Sequence, residues 1–139
     1  MMVSITASNH QRKQAVNRQA LVARLNDALP FLQPLPVDFP DEIAIRLVSD
    51  REIAKAHGEF LNDPTPTDVI TFQHGDVLIS VETAAREAVS RGITLDEELL
   101  RYGLHAMLHL CGEDDHEPEA RRRMQRRQER LVRKVLRAS

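Results

Sequence analysis

The sequence predicts an α+β fold in which a small mixed β-sheet of about four strands is covered by about five helices. Two observations carry this prediction. Turn-rich segments divide the chain into elements in the order β-α-β-α-β-β-α-α-α, which is typical of a sheet packed against helices. The chain has 139 residues, of which 42% are hydrophobic, and it shows no internal repeat. We therefore expect residues 1–139 to form a single domain with one core.

The first two strands are predicted from the alternation of apolar and polar residues. The segments "VSIT" near the start and "EIAIRLV" at residues 42–48 both alternate in this way. Between them, residues from about Gln14 to Leu29 carry apolar side chains at helical spacing and predict a helix. The segment "LPFLQPLPVDFPDE" contains four prolines and is expected to be a loop.

A capping box predicts the second helix. Ser49 can accept hydrogen bonds from the free amides of the first turn, and Glu52 can reach back toward Ser49. This helix should extend to about Phe60. The following "LNDPTPT" is rich in turn-forming residues, and Pro64 and Pro66 are expected to stiffen that loop.

The third and fourth strands are predicted as a hairpin. The segments "DVITF" and "DVLISVE" are rich in β-branched residues and flank "QHG", with Gly75 at the turn. The next segment, "VETAAREAVSR", predicts a helix that ends at Gly92.

The last two helices enclose an acidic loop. Thr94 and Glu97 form a capping pattern at the start of "TLDEELLRYGLHAMLHLCG", and Gly112 is expected to end this helix. The acidic loop "GEDDHE" follows. Pro118 suits the first turn of the last helix, which should reach about Leu136. The apolar stripe of that helix, expected to pack on the body of the protein, comprises Ala120, Met124, Leu131 and Val135.

The net charge of −2 is the sum of charges that are unevenly distributed along the chain. From Arg121 to Arg137 the chain has nine Lys or Arg residues against one acid, Glu129, so this segment carries +8 and the rest of the chain −10. Such a basic helix can bind a polyanion such as RNA, with Arg123, Arg126 and Arg130 as candidate contacts. The same pattern is also typical of a solvated helix face that has no partner.

The composition favours a cytoplasmic protein without a membrane span. Cys111 is the single cysteine, which excludes an intrachain disulfide framework and fits a reducing compartment. The start "MMVSITASNHQRKQ" lacks the apolar core of a signal peptide, and no apolar run approaches the about 20 residues of a membrane helix. Because the sequence has no Trp and one Tyr, aromatic platforms for stacking nucleic-acid bases are expected to be scarce.

The stretch "HAMLHLCGEDDH" predicts a metal site. On a helix, His105 and His109 are about 400° and about 6 Å apart, so both imidazoles project from one face and can share an ion. After Gly112 the chain turns back through Glu113, Asp114, Asp115 and His116, and a ligand from that turn can complete a three-ligand set. Three protein ligands leave a position open for water, which is the arrangement of a catalytic zinc.

Other candidate ligands have the wrong spacing. Cys111 lies about 200° around the helix from His109 and is expected to pack in the core. His10, His57 and His74 lack metal-ligand spacing, and we expect them to be surface or loop histidines.

Three segments resemble sequence blocks of a known family. "HAMLHLCGEDDH" resembles the His-Gly-x-Leu-His-Leu-x-Gly-Tyr-Asp-His motif of the YbeY family of bacterial rRNA maturation endoribonucleases. "PTDVITF" resembles that family's Pro-Thr-Asp-Val-Leu-Ser-Phe, and "GDVLIS" resembles its Gly-Asp-Ile-x-Ile-Ser. The blocks occur in the family's order with compatible spacing, over roughly residues 57–125, so together they are far more specific than any one motif.

The resemblance implies a zinc-dependent hydrolase that cuts single-stranded RNA in maturation of the 3′ end of small-subunit rRNA and in ribosome biogenesis. An rRNA precursor and the ribosomal small subunit would be its partners. It implies that His105 and His109 are catalytic through the metal that they bind. In the family's register Asp115 holds the third ligand position, whereas the commoner use of imidazole favours His116. Thr67 and Asp68 would line the substrate groove, or could hydrogen-bond within a turn instead.

The sequence also departs from the family's pattern. Ala106 replaces the Gly after the first His, and Glu113 replaces the Tyr before the acidic pair. Leu61 stands where the family often has an Arg that is proposed to contact RNA or phosphate. The absence of that Arg predicts weaker catalysis unless another basic residue replaces it.

Two alternative functions stay open. A zinc metallopeptidase-like hydrolase could use the same histidines, but Ala106 stands where such an enzyme has its general-base Glu. A non-catalytic RNA-binding ribosome-assembly factor would hold a structural zinc in a closed four-ligand site. Nickel, iron and manganese are also compatible with two histidines and a carboxylate or third histidine. The sequence leaves the oligomeric state open.

Overall fold

The computed structural model describes residues 2–61 and 67–138, apart from the side chains of Leu61 and Ala138. Within these residues one mixed sheet contains β1 (Ser4–Asn9), β2 (Glu42–Val48), β3 (Val69–Thr71) and β4 (Asp76–Ser80). The strand order is β1-β2-β4-β3. β1, β2 and β4 are parallel to one another, and β3 pairs with β4 in an antiparallel hairpin. The sheet therefore has the size and mixed direction that the sequence predicted.

Five α-helices occur in the described residues: α1 (Arg18–Ala28), α2 (Asp50–Leu61), α3 (Val81–Arg91), α4 (Leu95–Leu110) and α5 (Pro118–Ala138). The predicted α+β class is confirmed. None of these helices combines the length and the apolar character that crossing a membrane requires. The expectations for Pro64, Pro66 and the Leu61 side chain concern parts of the chain that lie outside the described residues.

The two faces of the sheet are covered unequally. On one face, side chains such as Ile43 and Leu47 enter the main core together with residues of α1, α4 and α5. On the other face, Leu78 packs against Ile53 of α2 in a smaller cluster. Each buried aliphatic side chain contributes about 1.5–3 kcal/mol relative to an exposed one, so the main core supplies most of the stability.

The helix that carries the two motif histidines, α4, runs through the middle of the main core. Ten of its 16 residues are buried. A Cβ atom at Gly103 would lie 3.0 Å from the Leu25 side chain, so this glycine allows α1 and α4 to approach closely. Arg101 pairs with Glu97 at 2.6 Å and with Glu129 at 2.9 Å, which ties α4 to α5. The core thus fixes the position from which His105 and His109 project.

The last helix is amphipathic as predicted. Met124, Leu131 and Val135 are buried against the body, and Ala120 is half-buried. The opposite side of α5 presents exposed arginines to solvent. These are Arg122, Arg123, Arg126, Arg130, Arg133 and Arg137.

The first helix begins later than the sequence predicted. It starts at Arg18 instead of about Gln14, because the Asn17 side chain accepts a hydrogen bond from the Ala20 amide at 3.0 Å and caps the helix there. Gln11 holds the preceding segment in place, since its side chain accepts from the Gln14 amide at 2.9 Å. A short 3₁₀ turn, Leu29–Leu32, also lies within the predicted proline-rich loop.

The predicted N-cap roles of Ser49 and Thr94 and the predicted end of α3 at Gly92 are confirmed. Ser49 Oγ accepts a hydrogen bond from the Glu52 amide at 3.2 Å, and Thr94 Oγ1 accepts one from the Glu97 amide at 3.1 Å. Gly92 ends α3 in a left-handed conformation with φ of 70°. These local hydrogen bonds satisfy amides and carbonyls that the helices leave unpaired.

The hairpin turn between β3 and β4 is rigid. Gly75 has φ of 113°, and a Cβ atom there would lie 2.1 Å from the Glu42 carbonyl oxygen. The Gly75 amide donates to the Phe72 carbonyl, and the Ala44 amide donates to the Gly75 carbonyl, both at 2.9 Å. The turn is therefore fixed both within the hairpin and against β2, and only glycine fits at its tightest point.

Asp50 joins the first turns of α2 and α3. Its Oδ1 accepts hydrogen bonds from Ser80 Oγ at 2.5 Å and Thr83 Oγ1 at 2.8 Å, and its Oδ2 lies 2.9 Å from Arg86 Nη1. Burial alone would raise the pKa of Asp50, but the hydrogen bonds from Ser80, Arg86 and Thr83 outweigh burial and lower the pKa below its ordinary value of 3.8.

We expect Asp50→Asn to lower the free energy of unfolding at pH 7 by about 1.5–3 kcal/mol, because hydrogen bonds to a charged acceptor are lost. A carboxylate whose folded-state pKa is lowered stabilises the fold above the unfolded-state pKa, and this contribution disappears as the pH falls through the folded-state value. The difference between wild type and variant, measured by urea unfolding, should therefore be largest near neutral pH and should shrink below about pH 4. A difference that stays constant down to pH 2 would contradict this assignment.

Candidate metal and substrate site

Two imidazoles of α4 face each other across one side of the helix. His105 Nε2 and His109 Nε2 are 3.1 Å apart, and the two ring planes are nearly perpendicular. Both side chains are about one quarter exposed, with relative accessibilities of 27% and 26%. The four-residue spacing thus places both rings as the sequence predicted, at the border between the core and solvent.

The loop after α4 brings a carboxylate to the same point. Asp115 Oδ2 lies 3.6 Å from His105 Nε2 and 3.5 Å from His109 Nε2. Ligands that are about 2.0–2.2 Å from a tetrahedral zinc ion are about 3.3–3.6 Å from one another. The triangle formed by these three atoms has edges close to that value.

The other nitrogen of each ring faces an acceptor. His105 Nδ1 lies 3.1 Å from Gln128 Oε1, and His109 Nδ1 lies 3.1 Å from the carbonyl oxygen of Glu113. With the proton on Nδ1, each Nε2 presents a lone pair. Two nitrogen lone pairs and the Asp115 carboxylate oxygen then converge. Three such acceptors repel one another unless a cation lies between them, so this donor set suits a divalent metal ion.

The second candidate for the third ligand is placed differently. The His116 side chain is 89% exposed, and its Nε2 lies 3.8 Å from Asp114 Oδ1 instead of facing the two imidazoles. Among the described residues, Asp115 is the one that forms a close group with His105 and His109, while His116 groups only with its two acidic neighbours. His116 does lie along the same cleft.

The single cysteine lies outside the group of candidate ligands. Cys111 is half-buried and packs against the main core, as predicted. Burial raises the pKa of its thiol, which favours the protonated form over the thiolate that a metal would bind.

The three candidate metal ligands open onto a cleft of about 500 Å³ between α4, the end of α2 and the edge strand β3. Thr67 and Asp68 line this cleft, so the structure brings them to the same cavity as the two histidines. Asp68 also has a structural role, because its Oδ1 accepts a hydrogen bond from the Val69 amide at 2.8 Å.

The arginines that the sequence singled out are not among the residues that line this cleft. Arg126 and Arg130 line a shallow groove along the outer side of α5, together with Arg122 and Arg133. Arg123 lies 3.8 Å from Glu119 on the preceding turn.

The prediction that His57 is an ordinary surface or loop histidine is wrong. His57 is half-buried on α2 and lines the cleft, because α2 crosses the far side of the sheet and its last turns reach this edge. Gln128 was also missed, although it contacts His105. A position on α5 separated from His105 by 23 residues carries no spacing signal. His10 and His74 are exposed, as expected.

Comparisons with known proteins agree with the motif resemblance. A family model described as endoribonuclease YbeY matches residues 6–136. The endoribonuclease YbeY of Thermus thermophilus is 32% identical over 126 residues, which cover 82% of this chain and 91% of the relative. That of Anaeromyxobacter dehalogenans is 36% identical over 143 aligned positions, which cover 96% of this chain and 71% of the relative.

Some relatives are considerably longer than the region they share with this chain. The endoribonuclease YbeY of Myxococcus xanthus is 35% identical over 104 residues, which cover 66% of this chain but only 35% of that protein. In three dimensions, the solution structure of a Thermotoga maritima protein matches with a TM-score of 0.67 at 24% identity. This match covers 96% of this chain and 89% of the other, and it shows the shared fold.

Proposed function

This chain belongs to the endoribonuclease YbeY family, and from that premise we propose that it is a zinc-dependent endoribonuclease that cuts single-stranded RNA. Its substrate would be an rRNA precursor, cut during maturation of the 3′ end of the small-subunit rRNA in the cytoplasm. Residues 1–139 would act as one domain with the ribosomal small subunit as partner. The observation that carries the proposal is the convergence of three potential ligand atoms, from His105, His109 and Asp115, at an open cleft.

His105, His109 and Asp115 would hold the ion, because their ligand atoms have suitable chemistry and separation. A bound zinc would supply a Lewis acid and lower the pKa of a coordinated water toward about 7. Gln128 Oε1 and the Glu113 carbonyl oxygen are placed to accept from Nδ1 of the two imidazoles, which would orient each Nε2 toward the ion. Arg127 pairs with the Glu113 side chain and so holds the loop that carries this carbonyl.

The two alternative functions have less support. A metallopeptidase needs a general base, and Ala106 is a buried apolar residue that offers none. A structural zinc would have a fourth protein ligand, and the group around His105 and His109 contains three candidates within the described residues. The open cleft beside this group favours chemistry over a purely structural role.

Removing the metal with a chelator is expected to abolish cleavage of single-stranded RNA and to leave most of the helical circular dichroism. The reason is that the apolar core packs without any contribution from the ion. His109→Ala should reproduce the loss of cleavage, whereas His10→Ala, a change at an exposed histidine outside the cleft, should not. Wholesale unfolding on chelation would instead indicate a structural zinc. A folded, metal-loaded protein that leaves RNA intact would contradict the proposed activity.

Gln128→Leu is expected to weaken metal affinity by about 10- to 100-fold. Without a hydrogen-bond partner at Nδ1, the His105 ring can rotate and its proton can move to Nε2. Gln128→Glu keeps an acceptor at this position and serves as the matched control. Competition with a fluorescent zinc chelator would measure both affinities. Equal losses in the two variants would show that the acceptor at residue 128 does not orient His105.

A further inference from the structure

Three rings gather where α2 ends beside the β3–β4 turn. Phe60 meets Phe72 edge-on, with ring centroids 5.4 Å apart. His74 lies nearly parallel to Phe72, with centroids 5.7 Å apart and an angle of 22° between the planes. We call Phe60, Phe72 and His74 the aromatic platform.

The central ring of the platform is firmly anchored. Phe72 packs against the smaller core cluster under α2. Its amide donates to the Asp76 carbonyl at 2.9 Å, and its carbonyl accepts from the rigid turn at Gly75. Phe72 therefore supports the two outer rings without needing a ligand to order it.

The outer rings are held in place and remain largely exposed. His74 Nε2 lies 2.7 Å from Asp76 Oδ2, which fixes the edge of the imidazole, and its side chain is 68% exposed. The His74 ring is offset from Phe72, so most of the imidazole remains open to solvent. Phe60 is 64% exposed. The burial of both rings against Phe72 is thus only partial.

The platform is continuous with the cleft. Phe72 and the adjacent Gln73 line the same cavity as His105, His109 and Asp115. A polymer bound in this cavity would contact the aromatic platform where it leaves the cavity along the β3–β4 turn.

We propose that Phe60 and His74 stack with unpaired bases of the RNA strand and so select single-stranded substrate. This inference rests on the proposed function. Aromatic side chains provide flat faces on which successive bases stack with little dependence on sequence. In a duplex both faces of each base are already covered by its neighbours, so the platform is available only to bases that are unpaired or splayed out.

The inference is tested by measuring the affinity of the metal-loaded protein for a single-stranded RNA oligonucleotide that carries 2-aminopurine. Binding is recorded by stopped-flow fluorescence, before cleavage. Wild type should quench the 2-aminopurine on binding, as stacking does. Combined Phe60→Ala and His74→Ala substitution should weaken binding by at least about 25-fold and remove the quenching, since stacking of each base is worth a factor of about 5 or more.

Substitutions that keep or remove a flat face separate stacking from general apolar contact. Phe60→Tyr should bind like wild type, whereas Phe60→Leu, which keeps an apolar side chain, should bind as weakly as Phe60→Ala. Phe31→Ala removes another exposed aromatic residue that does not line the cleft and should leave affinity and quenching unchanged. All these variants should keep the wild-type metal content.

The outcome also distinguishes this inference from the proposed function. If wild type neither binds nor cleaves the oligonucleotide, the endoribonuclease proposal fails and the inference falls with it. If wild type binds and cleaves while the double alanine variant binds as tightly and quenches as strongly, only the stacking inference is wrong. Equal weakening of duplex and single-stranded binding in the double variant would also overturn the proposed selection.

Discussion

Replacing Asp115 with alanine is expected to remove most of the bound divalent ion, whereas His116→Ala should leave the metal content near that of wild type. Asp115 Oδ2 lies within 3.6 Å of both imidazole nitrogens, while the His116 side chain projects into solvent. Loss of a residue that hydrogen-bonds a metal ligand already weakens metal affinity by about 10- to 100-fold. Loss of one of the three ligands should weaken it more. Elemental analysis of the purified variants and zinc titration would measure the effect, and RNA cleavage should fall in parallel.

His116→Ala is the matched control for Asp115→Ala, because both changes truncate an exposed or half-exposed side chain of the same loop. Circular dichroism should show that both variants are folded. Loss of metal from His116→Ala alone would assign the third ligand to the imidazole and would require the loop to rearrange. Full metal content in both variants would show that the three-ligand description is wrong.

Replacing Arg123, Arg126 and Arg130 together with Gln is expected to weaken binding to all single-stranded RNA sequences alike. The three side chains are exposed on the side of α5 opposite to its buried stripe, so they can reach phosphates without disturbing the core. Each phosphate contact to a single strand contributes about −0.7 to the slope of log affinity against log salt concentration. The triple variant should therefore have a slope that is flatter by up to about 2.

A matched variant removes three exposed arginines from other elements. Arg12, Arg46 and Arg51 lie outside α5 and do not line the cleft. Replacing them with Gln changes the net charge equally and should alter the salt slope much less. Metal content should stay unchanged in both triple variants. If the α5 variant keeps the wild-type slope, the arginine side of α5 is a solvated face without a role in RNA binding.

Local sequence patterns predicted most of the fold. Ser49 and Thr94 marked the starts of α2 and α4 because capping depends on residues three positions apart. The start of α1 was misplaced, because the apolar pattern continues upstream of Asn17 while the hydrogen bonds of the Gln11 side chain hold that segment out of the helix. A side-chain network of this kind depends on geometry that hydrophobic spacing does not reveal.

The candidate site was predictable only where it follows helical geometry. The separation of His105 and His109 is set by the helix itself. The choice between Asp115 and His116 stayed open, because an irregular loop has no period that assigns neighbouring residues to different sides. His57 and Gln128 come to the site from α2 and α5, so their roles depend on how helices pack around the sheet.

Composition does not reveal which aromatic residues come together in the fold. The lack of Trp and the single Tyr suggested that base-stacking surfaces would be scarce. The fold brings Phe60 against Phe72, which lies more than ten positions away along the chain, and Phe72 also contacts His74. A count of aromatic residues gives their number but not their proximity, and three adjacent rings are enough for a local platform.

The candidate ligands lie on segments that differ in burial, because α4 is deeply buried while the loop that follows it is largely exposed. Amide protons in the buried part of this helix should exchange with deuterium only through unfolding of the whole domain, because its side chains form the centre of the core. The segment around Asp115 has fewer constraints, and its amides should exchange through small local openings. An ion bound by His105, His109 and Asp115 would then dissociate at the rate at which this loop opens. His105 and His109 would stay in position on α4 and could bind another ion.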